Sequence, residues 1–232
     1  MSNVPDRVAR FADHLRAADP MAQTILFRPE AWTKALGDNE HLASVLTVCG
    51  PSRTITRANL ATIGGDKIND TFPLERLFIA AMIWGFGDRG YGGYRTQLML
   101  ADLKGRTRLA KTVALLREGK LGEAYEGFRV KQCGPAFFTK FFYAVGLGAG
   151  LDPLPLVLDS QVAASLRTLA EDGEFDAAQL VRGQKYVHRF PEGYARYVAL
   201  LNDWAHVIGC RPDAIEMLLF EPPTAFFNPL KA

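Results

Sequence analysis

One stretch limits what this chain folds into more than any other. Residues 134–166 read GPAFFTKFFYAVGLGAGLDPLPLVLDSQVAASL, and in the first half Phe137, Phe138, Phe141, Phe142 and Tyr143 crowd around one charged residue, Lys140. A helix that is apolar nearly all round belongs in an interior, covered by other elements on every side. Gly146–Pro155 reads as a Gly/Pro loop that closes this helix. The apolar run Leu156-Val157-Leu158 then leads to Asp159 and a second stretch of helical composition, residues 160–166. No alternation of apolar and polar residues competes with helical spacing in the first half of the chain, and no internal repeat is present. The fold class expected is all-α, built from a dozen or so short helices.

Two residues in this stretch carry charge in places that need a reason. For Lys140 two readings are open. An amine inside an apolar helix loses solvation, which favours its neutral, nucleophilic form. Alternatively its stem is buried and its head reaches water. Asp159 reads as an N-cap, its carboxylate accepting bonds from free backbone N–H groups at the positive end of the helix dipole.

Taken together, the two resemble a known arrangement. Thr139-Lys140 matches the end of the hairpin motif of the helix-hairpin-helix DNA glycosylases, and Leu156-Val157-Leu158-Asp159 with Val162 matches that family's piece at the next helix start. The likeness is to the 8-oxoguanine DNA glycosylase branch. Gly134-Pro135 supplies the turn before the helix, but Ala136-Phe137-Phe138 stands where the family has Gly-x-Gly. The resemblance covers roughly residues 72–166. It implies a two-lobed glycosylase-like fold with the active site in the inter-lobe cleft. Residues 72–146 would be the central lobe ending in the hairpin, and residues 1–71 plus 147–232 the second lobe. It implies further that Lys140 and Asp159 are the catalytic pair and face each other across that cleft. Lys140 would attack the deoxyribose of an extruded nucleotide and form a Schiff base, with strand nicking by β-elimination. The partner would be double-stranded DNA with a modified base, 8-oxoguanine by default, with another modified base, such as a phage DNA modification, as an alternative. No metal or organic cofactor is required. A non-catalytic helical module gripping nucleic acid or protein is a rival reading.

The rest of the chain fits around this core. With 232 residues, 48% hydrophobic and 22% charged, the chain suits a compact globular protein, and a net charge of +2 neither demands nor forbids nucleic acid. No apolar run approaches the roughly 20 residues needed to span a bilayer, and the N-terminus lacks a signal-peptide core. A cytoplasmic monomer is expected. Cys49, Cys133 and Cys210 are scattered and too few for a four-cysteine iron–sulfur cluster.

Helical spacing predicts helices over 4–18, 30–37, 39–48, from Thr54 or Thr56 to Ile63, and 72–86. A glycine-rich loop follows, Gly85 to Gly93, interleaved with Arg89 and Tyr91 and followed by Tyr94 and Arg95. It lacks the Gly-Lys-Ser/Thr of a phosphate loop. Arg89, Tyr91, Tyr94 and Arg95, with Gly134, Arg129 and Lys131 at the hairpin, are the candidate DNA contacts. Lys104, Arg106, Arg108, Lys111, Arg117 and Lys120 form a basic cluster within two or three helices over 96–128. Trp84, Tyr194 and Trp204 are candidates for a base pocket by aromatic character. Asp176–Gln184 reads as a short polar helix, 191–208 and 212–220 as amphipathic helices, and the tail from Pro222 as irregular. His188 has no partner legible in sequence.

Overall fold

The computed structural model describes residues 4–65, 71–103, 107–176, 180–182, 185–186 and 191–227. Over these residues the protein is all-α. The N-terminal pattern resolves into two helices rather than one, α1 (Asp6–Ala9) and α2 (Ala12–Ala17), which bury Val8 and Leu15 respectively. Phe11 stands between them with ψ at 13°, away from helical geometry.

Next come β1 (Thr24–Leu26), α3 (Pro29–Leu36), α4 (Glu40–Cys49) and β2 (Thr54–Thr56). The two strands pair antiparallel with Thr24 opposite Thr56. Three residues are too few to print an alternation on the sequence, which is why the pair was not expected. Five helices continue the chain: α5 (Arg57–Gly65), α6 (Thr71–Phe86), α7 (Gly92–Asp102), α8 (Thr107–Arg117) and α9 (Leu121–Gly127). α10 (Pro135–Ala149) is the aromatic helix that carries Lys140. α11 (Ser160–Glu171) starts at the Asp159 cap. Val181–Arg182 (β3) pairs antiparallel with Lys185–Tyr186 (β4) at the end of the polar helix expected over 176–184, of which 177–179 and 183–184 lie outside the described residues. The chain ends with α12 (Pro191–Ile208), α13 (Pro212–Phe220) and α14 (Thr224–Phe227). α14 is a single helical turn in the tail expected to be irregular, and it buries Phe226, which meets Phe11 at 5.9 Å.

Helix starts follow from local chemistry. Pro29, Pro135 and Pro212 occupy first turns, where a missing N–H costs nothing and φ is preset. Asn39 caps α4 by accepting from the Leu42 N–H at 2.9 Å.

The chain divides into two compact units, one made of Met21–Pro155 and the other of Met1–Pro20 with Leu156–Ala232. The first is wider than the central lobe expected over 72–146, because α4 and α5 pack on α6 and α5 packs on α10. Its core is the face shared by α6 and α10, where Leu77 to Ile83 and Phe141 to Val145 are completely buried. Each buried large apolar side chain contributes about 1.5–3 kcal/mol. The second unit is built on α11, α12 and α13, with Tyr194, Tyr197 and Trp204 fully buried. No helix among the described residues is long and apolar enough to cross a membrane.

Candidate active site

α10 continues three residues past the expected start of the loop. Gly146 and Gly148 are helical, and Gly150 ends the helix in the left-handed region at φ 61°. Lys140 lies near its middle. Its amine donates to the Ala136 carbonyl at 2.9 Å, one turn back. The same nitrogen lies 5.7 Å from the Trp84 ring centroid and 5.9 Å from that of Phe137. The aliphatic stem passes over Gly85 of α6, so close that a Cβ at residue 85 would lie 2.7 Å from Lys140 Cδ. Lys140 is half-buried, held against aromatic faces.

Trp84, one of the expected pocket residues, is therefore beside the amine. It is 6% exposed and stacks on Tyr143 with centroids 5.9 Å apart. The sequence reading missed Arg57, the first residue of α5. Its guanidinium lies 5.0 Å from the Trp84 centroid and 4.8 Å from that of Tyr143, and the residue is 1% exposed. Its Nε donates to Gln23 Oε1 at 2.8 Å. The strand register explains the placement. Thr24 pairs with Thr56, so Gln23 and Arg57 are the next residues outward on either side of that ladder. Nothing local marks such an arginine as buried; its burial is set by a pairing across 34 positions.

Asp159 belongs to the other unit. It caps α11 as expected, and its Oδ1 accepts from the N–H groups of Gln161 at 2.9 Å and Val162 at 3.1 Å. Two phenols hold the extended run that leads to it. Tyr194 donates to the Leu156 carbonyl at 3.0 Å, and Tyr197 donates to that of Val157 at 2.6 Å. Tyr194, expected at a base pocket, thus has its hydroxyl engaged inside the core. Trp204 is equally buried and meets Phe175 edge-on at 5.6 Å.

The glycine loop is shorter than expected. α6 runs through Gly85 to Phe86, and α7 begins at Gly92. Gly92 and Gly93 enter the helix because they pack where no side chain fits: their Cβ atoms would lie 3.0 Å from Trp32 Cζ2 and 2.9 Å from Ala35 Cβ respectively. Arg89, Tyr91 and Tyr94 are exposed, the tyrosines at 48% and 59%. Arg95 turns inward instead. It lies over the stacked rings of Phe86 and Phe137, at 5.6 and 5.4 Å, and donates to the Gln132 carbonyl at 2.6 Å.

That carbonyl belongs to the turn before α10. Val130 and Cys133 pair across Lys131 and Gln132, the latter in the left-handed region at φ 64°. Arg129, Lys131 and Gly134 are exposed around it. The Lys131 N–H donates to Asp102 Oδ2 at 2.8 Å, and Arg108 donates to the Arg129 carbonyl. Cys133 is buried within the turn, which pushes its thiol up to about 12, against a smaller downward pull from Arg95. It stays protonated and unsuited to attack. Of the basic cluster, Lys111, Arg117 and Lys120 are exposed, Lys120 pairing with Glu118 at 2.8 Å. Lys104, Arg106 and His188 lie outside the described residues.

A family model described as "Putative 8-oxoguanine DNA glycosylase OGG-like protein" matches residues 18–220. No curated protein matches the chain, and no solved structure does.

Proposed function

The chain belongs to the OGG-like DNA glycosylase family, and from that premise we propose that it binds duplex DNA and excises a modified base through a lysine Schiff base. The observation that carries this reading is the Lys140 amine, half-buried and held at the faces of Trp84 and Phe137. Those ring faces and the Ala136 carbonyl fix where the nitrogen sits, so an extruded nucleotide brought to it meets the amine in one place.

The base is extruded first, because the glycosidic carbon is out of reach inside the stack. The neutral Lys140 nitrogen forms a bond to C1′ as the bond from C1′ to the base breaks, and the departing base takes up a proton. Opening of the sugar ring then gives an imine between Lys140 and C1′. Loss of a proton from C2′ expels the 3′ phosphate and nicks the strand. Asp159 supplies the carboxylate that offsets positive charge developing on the sugar and relays protons. Exposed Tyr91, Tyr94 and Arg89, with Arg129, Lys131 and the Gly134 turn, would hold phosphates and fill the gap left by the extruded nucleotide. The preferred base is 8-oxoguanine, the substrate in the family's description.

Borohydride tests this directly. It reduces the imine to a stable secondary amine, so incubation with an 8-oxoguanine duplex should leave a covalent protein–DNA adduct. The adduct should vanish in Lys140→Ala. Absence of any adduct across a panel of modified duplexes removes the lysine mechanism.

A further inference from the structure

Arg95 is one of the arginines that the sequence offers as a DNA contact, yet its guanidinium is engaged by the protein itself. It lies 5.6 Å from the Phe86 centroid and 5.4 Å from that of Phe137, two rings that stack on each other at 4.2 Å. One of its terminal nitrogens donates to the Gln132 carbonyl at 2.6 Å.

Gln132 is a residue that needs holding. It is the third residue of the turn Val130–Cys133, which the Cys133 N–H closes on the Val130 carbonyl at 3.1 Å. Its φ of 64° is a conformation that glycine takes freely and other residues seldom adopt. Two more charged side chains grip the same segment. Asp102, about two helical turns on from Arg95 along one face of α7, accepts from the Lys131 N–H at 2.8 Å. Arg108 of α8 donates to the Arg129 carbonyl and lies 3.7 Å from Asp102. Main-chain groups of Arg129, Lys131 and Gln132 are thus clasped from α7 and α8, while the side chains of Arg129 and Lys131 are left exposed.

We propose that Arg95 is a positioning residue for DNA binding: by holding the Gln132 carbonyl it keeps Gln132 left-handed and so presents Lys131 and the Gly134 turn to the phosphates, without itself touching DNA. The inference rests on this turn being a DNA contact, as in the proposed function. Where a glycine would hold the conformation unaided, the chain uses a side chain from another helix.

Two readouts test it, one with DNA and one without. Affinity is measured by fluorescence anisotropy on a duplex carrying a tetrahydrofuran abasic site, which the amine cannot open. Arg95→Met should weaken binding about tenfold, the value of one hydrogen bond to a charged group. Lys131→Ala should weaken binding in the otherwise wild-type chain but add little in the Arg95→Met chain, because a displaced turn no longer presents that lysine. Gln132→Gly added to Arg95→Met should recover most of the lost affinity, since glycine takes the left-handed turn without a clasp. A glycine in the turn cannot stand in for a guanidinium that touches phosphate. Without DNA, amide hydrogen exchange of Lys131 and Cys133 should quicken about tenfold in Arg95→Met and return towards wild type with the added Gln132→Gly. Each variant is checked for folding by circular dichroism, and Arg95→Gln replaces the methionine variant if that one does not fold. Additive losses for Arg95→Met and Lys131→Ala, or no recovery with Gln132→Gly, overturn the proposal. So does unchanged exchange at Lys131 and Cys133 in a folded variant. A wild-type protein that binds no duplex overturns the DNA-binding reading instead, and the exchange rates still decide whether Arg95 holds the turn.

Discussion

Gly64 of α5 and Gly148 of α10 meet backbone to backbone: a Cβ added to Gly148 would lie 2.5 Å from Gly64 Cα. No rotamer relieves such a clash, because both partners are main chain. The helix bearing Arg57 and the helix bearing Lys140 cross at this point. Gly148→Ala should therefore cost about 3 kcal/mol, the upper range for overpacking, and should weaken trapping along with stability. A urea denaturation midpoint equal to wild type would show that the crossing is looser than described.

Gly85 makes the opposite kind of contact. The atom its Cβ would meet is Lys140 Cδ, at 2.7 Å, in a flexible side chain. Gly85→Ala should fold normally, since alanine is favoured over glycine in a helix by about 1 kcal/mol. It should nonetheless displace the amine and reduce the trapping rate about tenfold or more, because small misplacements of a reacting group are costly. Stability and chemistry should part company in this variant; wild-type trapping at wild-type stability would clear Gly85 of any role.

Asp159 caps α11, and the proposed mechanism asks a chemical task of the same carboxylate; two substitutions separate the two. Asp159→Ala removes the cap and should cost about 1 kcal/mol of stability. Asp159→Asn retains an oxygen for the Gln161 and Val162 N–H groups and should cost only a few tenths. Both should lower base excision by about a hundredfold or more if the carboxylate moves protons. Full excision by the asparagine variant would reduce Asp159 to a cap.

Alkaline pH should loosen the unit formed by residues 21–155. Burial pushes the Cys49 thiol up to about 11 and that of Cys133 up to about 12, and raises the Tyr125 phenol as well. The folded state thus holds these protons after unfolded thiols, with values near 8.5, have released theirs. The stability this gives is complete below about pH 8.5 and is lost as pH climbs towards the folded values. Urea midpoints should be level between pH 6 and 8 and fall steadily from pH 9 to 11. A flat profile to pH 11 would mean that solvent reaches the thiols.

Much of this architecture was legible in the sequence, and the failures share a cause. α12 and α13 match their expected spans because periodicity, proline starts and Gly209 all agree. The N-cap at Asp159 needed only its neighbours. By contrast local propensity, about 1 kcal/mol against helix each, assigns Gly146, Gly148, Gly92 and Gly93 to loops. Their places are decided by what presses on them. A Cβ at Gly146 would lie 2.6 Å from Pro155 Cδ, and Gly92 and Gly93 sit under Trp32 and α3. Arg57 was invisible for the same reason. An arginine after Thr-Ile-Thr looks like a surface residue until the ladder sets it opposite Gln23. The aromatic run marks Lys140 and the likeness to the glycosylase hairpin gives it a role, but the Trp84 face against which it rests is a product of α6 packing on α10.

The extended run before Asp159 has one further implication. Leu156 and Val157 belong to no sheet, and the hydroxyls of Tyr194 and Tyr197 grip their carbonyl oxygens from positions 38 and 40 residues later. The aspartate's address is thus written twice, once by its neighbours and once by a helix that begins only at Pro191. A chain stopped before α12 would lack both phenols that hold the Leu156 and Val157 carbonyls.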